Sequence, residues 1–299
     1  MQRKIIYIIN PISGGKAKKE LQRLVEERTQ MENIPYVVLP SSASGDYSNL
    51  KSLIENEKFT DVVIAGGDGT VSPVVGSLLN CDVNFGILPS GSGNGFAYAA
   101  KISKQTTKAL EIIFAGNSSF VDGFFINNRF ACMLCGLGFD AKVAHDFAEQ
   151  PKRGLSTYIK EVVRNFFSAK TYEFSVDLSH AQFDTEAFFI SIANSNQYGN
   201  NFTIAPKASL SDGLLDIVIV TKQSKLSMIL QTLNQLMGNN KLQIESAIDR
   251  KKAVIYFQTN KLSILNKSHA PLHIDGDPAK SSEKIDIEIK EKCFRLIQP

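Results

Sequence analysis

Three short apolar runs in the first hundred residues each end in a glycine-rich loop, and each loop precedes a segment that is predicted to be helical. The runs are Ile5 to Ile9, Val62 to Ala65 and Phe85 to Leu88, and the helices are predicted at 16–31, 72–80 and 95–101. Strands that alternate with helices pair in parallel through right-handed crossovers, which puts the carboxyl ends of the strands at one edge of a sheet. The sequence therefore predicts a doubly wound, mostly parallel α/β fold with three loops along one edge.

The second loop, Gly66-Gly67-Asp68-Gly69-Thr70, is typical of a phosphate-binding turn. Glycine permits positive φ and lets backbone N–H groups come close to a ligand. A bare phosphate would be repelled by Asp68, so a divalent cation between the carboxylate and the phosphate oxygens best explains this residue. The chain has no Walker A sequence, and no G-x-G-x-x-G follows the first strand, which argues against a P-loop enzyme and a dinucleotide-binding fold. A nucleotide with magnesium is the predicted ligand.

The pattern changes near residue 116, where alternation of strands and helices gives way to successive strands. Segments 120–126 and 129–134 are predicted to form a hairpin around Asn127-Asn128. Further strands are predicted at 171–178, 186–193, 214–221, 253–258, 262–265, 271–275, 285–289 and 293–297. We therefore expect an α/β domain over 1–118 and a β-rich, antiparallel, sandwich-like domain over 119–299, with the last strand packing back on the first domain.

Composition is that of an ordinary globular enzyme. The 299 residues are 43% hydrophobic and 21% charged, which is enough for two cores, and the net charge of +3 is too small to indicate nucleic acid. The apolar runs fall well short of the ~18–20 residues that cross a bilayer, and no signal-peptide pattern follows Met1, so we expect a cytoplasmic protein without a transmembrane segment. Cys132 and Cys135 lie in an apolar run without a second pair, which favours a buried pair over a zinc site.

Five segments, taken in order, resemble the diacylglycerol kinase and sphingosine kinase superfamily of soluble lipid kinases. They are Asn10-Pro11 with Ser13-Gly14, the Gly66 to Thr70 loop, Leu88 to Asn94, Ala205-Pro206 with Ser211 to Asp216, and His273 to Asp277. The resemblance covers nearly the whole chain. It implies a nucleotide-binding domain, a β-rich lipid-binding domain and an active site in the cleft between them. It also implies an ATP- and Mg²⁺-dependent kinase that phosphorylates a lipid hydroxyl at a membrane surface.

The same resemblance implies roles for individual residues. Contacts to ATP fall on Asn10, Ser41, Gly66, Gly67, Asp68, Gly69, Thr70, Val71, Ser72, Ser92 and Asn94. The predicted catalytic residues are Asp68, in the catalytic magnesium network, and Asp277, as general base. Predicted metal ligands are Asp68 and, in the same catalytic network, Asp122, for which a solvated turn aspartate is the alternative. A separate structural magnesium site is predicted at Asp212 with the carbonyls of Ser209 and Leu214. If the strand predicted at 271–275 continues to Asp277, His273, Asp275 and Asp277 share one face, and either neighbour would be placed to assist the base. For His273 the favoured interpretation is a hydrogen-bonded histidine of the strand without a role in proton transfer.

Three departures from the family pattern leave the acceptor open. Asp277 stands where the family has Glu, and Gly95 stands where diacylglycerol kinases often have Asp, as in the sphingosine and ceramide kinase branch. Val71-Ser72-Pro73 replaces a hydrophobic residue followed by Asn-Glu, with Ser72 predicted as a helix cap and Pro73 in the first turn. Diacylglycerol is the expected acceptor, and the alternatives are a sphingoid-base kinase or a catalytically weak lipid- or nucleotide-binding protein. NAD kinase is disfavoured, because Ala205 to Ser209 replaces its Thr-Pro-Thr-Gly-Ser-like segment.

One helix in the second domain bears on the lipid substrate. Apolar residues recur at helical spacing over 155–167, with Lys160 and Arg164 beside them. Such a stripe is typical of a helix that packs on a core, which base rates favour, and also of one that faces a membrane. The expected partner is therefore a lipid at a membrane surface, with peripheral association, and exposed sheet edges would allow a homodimer.

Overall fold

The computed structural model describes residues 2–9, 15–151, 154–197 and 203–299. The chain folds into two compact units, one formed by Met1–Val121 with Lys292–Pro299 and the other by Asp122–Glu291. Among the described residues, no helix is long and apolar enough to cross a membrane.

Unit 1 is a parallel α/β fold. Its elements are β1 (Ile5–Ile9), α1 (Gly15–Met31), β2 (Tyr36–Pro40), α2 (Leu50–Glu57), β3 (Asp61–Gly66), α3 (Asp68–Leu78), β4 (Asn84–Pro89), α4 (Gly95–Ala99) and α5 (Thr106–Ala115). The strand order is β2-β1-β3-β4, every pair is parallel, and all side chains of β1 and β3 are buried. A strand that is apolar throughout suits this central position, because helices cover both faces of a parallel sheet. The predicted α/β fold is confirmed.

The helix after the second loop begins earlier than predicted. Gly67 is the N-cap in an extended conformation, α3 starts at Asp68, and Ser72 is buried in its second turn. The prediction that Ser72 caps this helix with Pro73 in its first turn is therefore wrong. Pro73 is the sixth helical residue, where its ring replaces a backbone N–H donor inside the helix. The sequence suggested a later start because Gly and Asp are poor helix formers.

Unit 2 is built mainly of antiparallel strands. Its elements are β5 (Ser118–Ile126), which begins in unit 1, β6 (Arg129–Ala131), β7 (Leu134–Gly138), α6 (Phe139–Ala148), α7 (Leu155–Ser168), β8 (Tyr172–Leu178), β9 (Ala181–Ala193), β10 (Leu215–Thr221), α8 (Lys225–Leu236), a 3₁₀ turn (Glu245–Ala247), β11 (Val254–Thr259), β12 (Lys261–Asn266), β13 (Leu272–Ile274), β14 (Asp277–Ala279) and β15 (Lys284–Ile297). The long β9 pairs with β7, β8 and β10, and the core lies between strands that alternate inward apolar residues with outward polar ones.

Two details of the predicted strands are settled by the structure. The hairpin at Asn127 is confirmed, because Ile126 faces Arg129 and Asn127 has a φ of 50°. The strands predicted at 285–289 and 293–297 are one strand, β15, which passes through Lys292 with a φ of 46°. Its carboxyl end pairs in parallel with β4 through Arg295 and Leu296, within unit 1.

The prediction for the two cysteines is confirmed, whereas the prediction for the amphipathic helix is wrong in part. Cys132 and Cys135 are buried free thiols, as predicted, and burial raises the pKa of the Cys135 thiol well above its usual range. The favoured interpretation of 155–167 as a core-packing helix is wrong for its most apolar edge, since Ile159, Val163 and Phe167 of α7 are exposed. Polar side chains of α7 occupy the buried side instead, which periodicity alone does not reveal.

Candidate active site

The second and third glycine loops of unit 1 lie in direct backbone contact. A Cβ atom on Gly91 would lie 2.4 Å from the Cα atom of Gly67, and one on Gly67 would lie 3.0 Å from the Cα atom of Gly91. The Ser90 N–H also donates to the Gly66 carbonyl across a distance of 3.0 Å. A side chain at either glycine would collide with the backbone of the other loop, so both positions require glycine. Their close approach holds the two loops together at the carboxyl edge of the sheet.

Asn94 fixes the shape of the third loop. Its amide oxygen accepts from the Gly91 N–H and its amide nitrogen donates to the Gly91 carbonyl, both across 2.8 Å. Asn94 has a φ of 56° and is almost fully buried at the N-cap of α4. Asparagine tolerates this left-handed conformation better than most residues. The side chain predicted to contact ATP thus forms both of these hydrogen bonds within its own loop.

Asp68 connects the second loop to the third. Its carboxylate accepts from the Gly95 N–H at 2.9 Å and from the Phe96 N–H at 3.1 Å, one bond to each oxygen. Asp68 is also the first residue of α3, where the helix dipole favours a negative charge. A carboxylate has about four lone-pair positions and is a ligand that Mg²⁺ prefers, so this position is chemically suited to a cation beside the loops.

The other residues predicted to bind ATP are distributed around these loops. Gly69 and Ser92 are exposed, and Thr70 is half-buried. Val71 and Ser72 are buried within α3, and the Val71 N–H already donates to the Gly67 carbonyl. Ser41 directly follows β2, and its N–H donates to the carbonyl of Ile9 at the end of β1. Ser41 therefore lies at the carboxyl edge of the sheet. Asn10 lies outside the described residues.

In unit 2, Asp277 follows a tight turn between β13 and β14. The turn residues Asp275 and Gly276 have φ values of 51° and 83°, as a type I′ hairpin turn requires, and Ile274 pairs with Asp277. Asp277 is exposed at the start of β14. The short turn therefore presents the predicted base to solvent on a rigid hairpin.

Asp275 anchors this hairpin from within the unit. Its carboxylate accepts from the backbone N–H groups of Cys132, Met133 and Leu134 at 3.3, 3.0 and 3.0 Å. The expectation that Asp275 shares a face with Asp277 and assists it is wrong, because the chain turns at Asp275 and does not stay extended. Its buried carboxylate binds the backbone of the neighbouring segment.

Replacement of Asp275 by Ala is expected to lower the free energy of unfolding by about 3 kcal/mol, since three buried N–H groups lose their acceptor. Asp275→Asn keeps the oxygen that binds Met133 and Leu134, so it should cost roughly half as much. Urea unfolding of the two variants measures this difference. Equal losses for both variants would contradict the anchoring role of the carboxylate.

A buried pair, His273 and Asp140, lies behind the same turn. His273 Nε2 is 3.4 Å from Asp140 Oδ2, and His273 Nδ1 accepts from the Gly276 N–H at 3.3 Å. A Cβ on Gly136 would lie 2.0 Å from Asp140 Oδ2, so only glycine leaves room for the pair. Sequence reasoning missed Asp140. Its signal was available, because Asp140 lies in the first turn of a helix that follows a buried strand ending in Gly138, much as Asp68 lies in the first turn of α3 after Gly67.

Two of the predicted metal ligands, Asp122 and Asp212, lie near one another in the structure. Asp122 Oδ2 accepts from the Gly213 N–H at 2.8 Å, which joins Asp122 to the turn that carries Asp212. Burial, with the nearby Asp122 carboxylate, raises the pKa of Asp212. The described residues contain no group of three or more His, Cys, Asp or Glu side chains that could hold a metal ion. A cation here would therefore need main-chain oxygens, such as the carbonyls of Ser209 and Leu214, which suit Mg²⁺.

Comparison with known families assigns both units. Residues 4–125 match the diacylglycerol kinase catalytic domain, and residues 134–296 match the YegS C-terminal NAD kinase beta sandwich-like domain. The chain belongs to the diacylglycerol kinase family of lipid kinases. Asp68 lies in the segment matched by the catalytic domain, and Asp277 lies in the segment matched by the sandwich-like domain. Kinases of this family use ATP.

This lipid kinase is also similar to individual proteins along most of its length. The diacylglycerol kinase of Bacillus subtilis is 23% identical over 279 residues, which cover 92% of this chain and 89% of the relative. An uncharacterized protein of Synechocystis, sll0036, is 28% identical over 233 residues, and the match covers 73% of this chain but only 54% of that relative. The crystal structure of a diacylglycerol kinase from Bacillus anthracis has the same fold, with a TM-score of 0.74 at 16% identity over 99% of this chain and 97% of that chain.

Proposed function

We propose that this lipid kinase transfers the γ-phosphoryl group of ATP to the hydroxyl of diacylglycerol, with Mg²⁺, at the surface of a membrane inside the cell. The observation that carries the proposal is the joining of two glycine loops by the Asp68 carboxylate at the N-terminus of α3. The name of the Bacillus subtilis relative supports diacylglycerol as the acceptor.

The loops of unit 1 would bind the nucleotide. The first turn of α3 offers backbone N–H groups and a positive dipole to the phosphates, and the exposed Gly69 and Ser92 leave its approach open. Thr70 and Ser41 would contact the nucleotide from the rim of the sheet. Asp68 would orient the cation-bound phosphates while its two backbone hydrogen bonds hold the third loop in place.

Phosphoryl transfer requires little covalent work from the protein. Asp277 would take the proton of the lipid hydroxyl while the hydroxyl oxygen forms the new bond to the γ-phosphorus. The bond from that phosphorus to the β-γ bridging oxygen would break and release ADP. Mg²⁺ would neutralise the charge on the phosphate oxygens when bound. Aspartate is one methylene shorter than the glutamate usual in the family, so the rigid β13-β14 hairpin would set its reach.

We also propose that Asp212, with the Ser209 and Leu214 carbonyls and the neighbouring Asp122, binds a structural Mg²⁺. Without ATP, Mg²⁺ at about 100 times its Kd is expected to raise the free energy of unfolding by about 2.7 kcal/mol. Asp212→Asn should abolish this stabilisation, while Asp249→Asn, at an exposed aspartate of the same unit, should retain it. Thermal unfolding with and without Mg²⁺ measures the effect. An Asp212→Asn protein that Mg²⁺ stabilises as much as wild type would contradict the assignment.

The acceptor is tested with γ-labelled ATP in mixed micelles that contain diacylglycerol, monoacylglycerol, sphingosine or ceramide, with Mg²⁺ or EDTA. Label on diacylglycerol alone, lost with EDTA, is the expected result. Label on sphingosine would show that the acceptor is a sphingoid base, which is the alternative that Gly95 suggests, and would contradict diacylglycerol as the acceptor. ATP binding with no labelled lipid would leave a lipid- or nucleotide-binding protein and contradict the proposal.

A further inference from the structure

Strand β14, which begins at Asp277, contributes little to its own placement. It is three residues long, lies at one end of the sheet order and pairs with β13. Asp277 and Pro278 are both exposed, and Pro278 has no N–H group to donate. The position of the Asp277 carboxylate therefore depends on how the two-residue turn before it is held.

His273 of β13 holds one of the two central residues of this turn. Its side chain is almost fully buried, and its Nδ1 atom accepts from the Gly276 N–H at 3.3 Å. The N–H of the other central residue, Asp275, donates to the Leu134 carbonyl at 2.8 Å. Because Gly276 immediately precedes Asp277, the bond from Gly276 to His273 fixes the backbone next to the proposed base.

Asp140 determines which nitrogen of His273 carries the ring proton. A backbone N–H can only donate, so Nδ1 must accept, and in a neutral imidazole Nε2 then carries the hydrogen. Nε2 lies 3.4 Å from Asp140 Oδ2, which accepts this hydrogen. The other Asp140 oxygen accepts from the Ala141 N–H at 2.8 Å, so the first turn of α6 orients the carboxylate. A carboxylate that fixes the tautomer of a histidine in this way is a common device at functional sites.

The adjoining strand β7 leaves room for the pair. Gly136 faces His273 in the antiparallel ladder, and a Cβ there would lie 2.5 Å from His273 Nε2 and 2.0 Å from Asp140 Oδ2. Burial of a carboxylate beside an imidazole costs desolvation that two apolar side chains would avoid, so such a pair is weak evidence for stability. A role in placing the turn accounts for the pair better than a role in the core.

We propose that His273, in the tautomer set by Asp140, is a positioning residue that holds the turn so that the Asp277 carboxylate reaches the lipid hydroxyl. The inference rests on the proposed function, since Asp277 is the general base only if the chain phosphorylates a lipid. His273 acts through the Gly276 N–H and takes no proton from the acceptor. A misplacement of about 1 Å at a reacting group can cost about 10²-fold in rate, so one hydrogen bond to the turn has a measurable effect.

Two substitutions of His273 separate its contact with the turn from its contact with Asp140. His273→Asn places an amide oxygen near the Nδ1 position, so it keeps an acceptor for the Gly276 N–H and loses the donor to Asp140. His273→Gln places an amide nitrogen near the Nε2 position, so it keeps the donor to Asp140 and loses the acceptor for the turn.

Activity and stability should respond to these two variants in opposite order. The kcat of His273→Gln should fall roughly tenfold or more with the KM for ATP unchanged, whereas His273→Asn should keep nearly the wild-type kcat. The unfolding temperature should fall further in His273→Asn, because that variant removes a donor from the buried Asp140 carboxylate. Steady-state kinetics on diacylglycerol and thermal unfolding measure both orders.

His145→Asn is the matched control. His145 lies on α6, and its Nε2 bonds to the carbonyl of Leu272 at 2.7 Å, in β13 and outside the turn. The shorter asparagine side chain should lose this bond. We expect a lower unfolding temperature with the wild-type kcat.

Nitrogen NMR of the four histidines gives a readout that does not depend on activity. In wild type the ring proton of His273 should be on Nε2. In Asp140→Asn the amide oxygen should keep its bond to the Ala141 N–H, which turns the amide nitrogen toward the ring and moves the proton to Nδ1. That proton would face the Gly276 N–H, so kcat should fall as in His273→Gln.

The outcomes separate this inference from the proposed function. A wild-type ring protonated at Nδ1 would overturn the inference, and activity that follows the unfolding temperature in all variants would overturn it by assigning the pair to stability alone. An active wild type with an equally active His273→Gln would refute this inference and leave the proposed function intact. No labelled lipid from wild type would refute the proposed function and the role of His273 with it.

Discussion

Asp277→Asn is expected to lower kcat for lipid phosphorylation about 10²–10⁴-fold, the usual contribution of a positioned general base. Asparagine has nearly the same shape but cannot take the hydroxyl proton. Asp277 is exposed at the end of a two-residue turn, so the substitution removes no buried side chain. The dissociation constant of ATP and the temperature of unfolding should therefore stay at the wild-type values. Steady-state kinetics, nucleotide titration and thermal unfolding measure the three quantities.

Asp277→Glu is the control for this prediction. It keeps a carboxylate and moves it outward by one methylene, to the length usual in the family. Activity of Asp277→Glu should lie far above that of Asp277→Asn, because the base is retained. Equal kcat values for wild type and Asp277→Asn would place the base elsewhere in the protein, and a large loss of ATP affinity in Asp277→Asn would show that Asp277 acts on the nucleotide.

Gly91→Ala is expected to cost about 1–3 kcal/mol of folding free energy, as overpacking of a close contact does. The new methyl group would lie 2.4 Å from the Gly67 Cα atom, and neither backbone can yield without moving a loop. Separation of the two loops also disturbs Asp68, whose carboxylate binds the Gly95 and Phe96 N–H groups just beyond. We therefore expect at least a tenfold loss of ATP affinity as well, equivalent to about 1.4 kcal/mol.

Ser90→Ala is the matched control for Gly91→Ala. Ser90 is the exposed neighbour in the same loop, and its hydrogen bond to the Gly66 carbonyl uses only the backbone. Its unfolding temperature should equal that of wild type. Thermal unfolding and ATP titration of both variants give the comparison, and a Gly91→Ala protein with wild-type stability and ATP affinity would contradict the close packing of the loops.

Much of unit 1 was predictable because its signals are local. Three apolar runs ending in glycine loops define parallel strands, and the sheet contains all three of them as β1, β3 and β4. The start of α3 was not predicted, because Gly67 and Asp68 acquire their roles through the contact with Gly91 and the bonds to Gly95 and Phe96. Those partners are distant in sequence, and propensity carries no information about them.

In unit 2 the strands were predictable, whereas the use of the polar residues was not. Asp275 was expected beside Asp277 on an extended strand, but an Asp-Gly pair with positive φ makes the turn, and this turn was the available signal. Asp140 and the buried side of α7 depend on tertiary contacts. Periodicity identified the apolar stripe of α7 but could not say that Glu161 and Asn165 would pack inward, because the side-chain partner of Asn165, Asp146, lies on a different helix, α6.

We propose that Asp68 and Asp277 serve one Mg²⁺-dependent transfer of a phosphoryl group from ATP to a lipid hydroxyl. The most direct measurement is the formation of phosphatidic acid from diacylglycerol and γ-labelled ATP by wild type, Asp68→Asn and Asp277→Asn at equal protein concentration. Wild type with Mg²⁺ is expected to form labelled phosphatidic acid, and both variants should form at least about 10²-fold less product. Undiminished product from either variant, or none from the wild type, would contradict it.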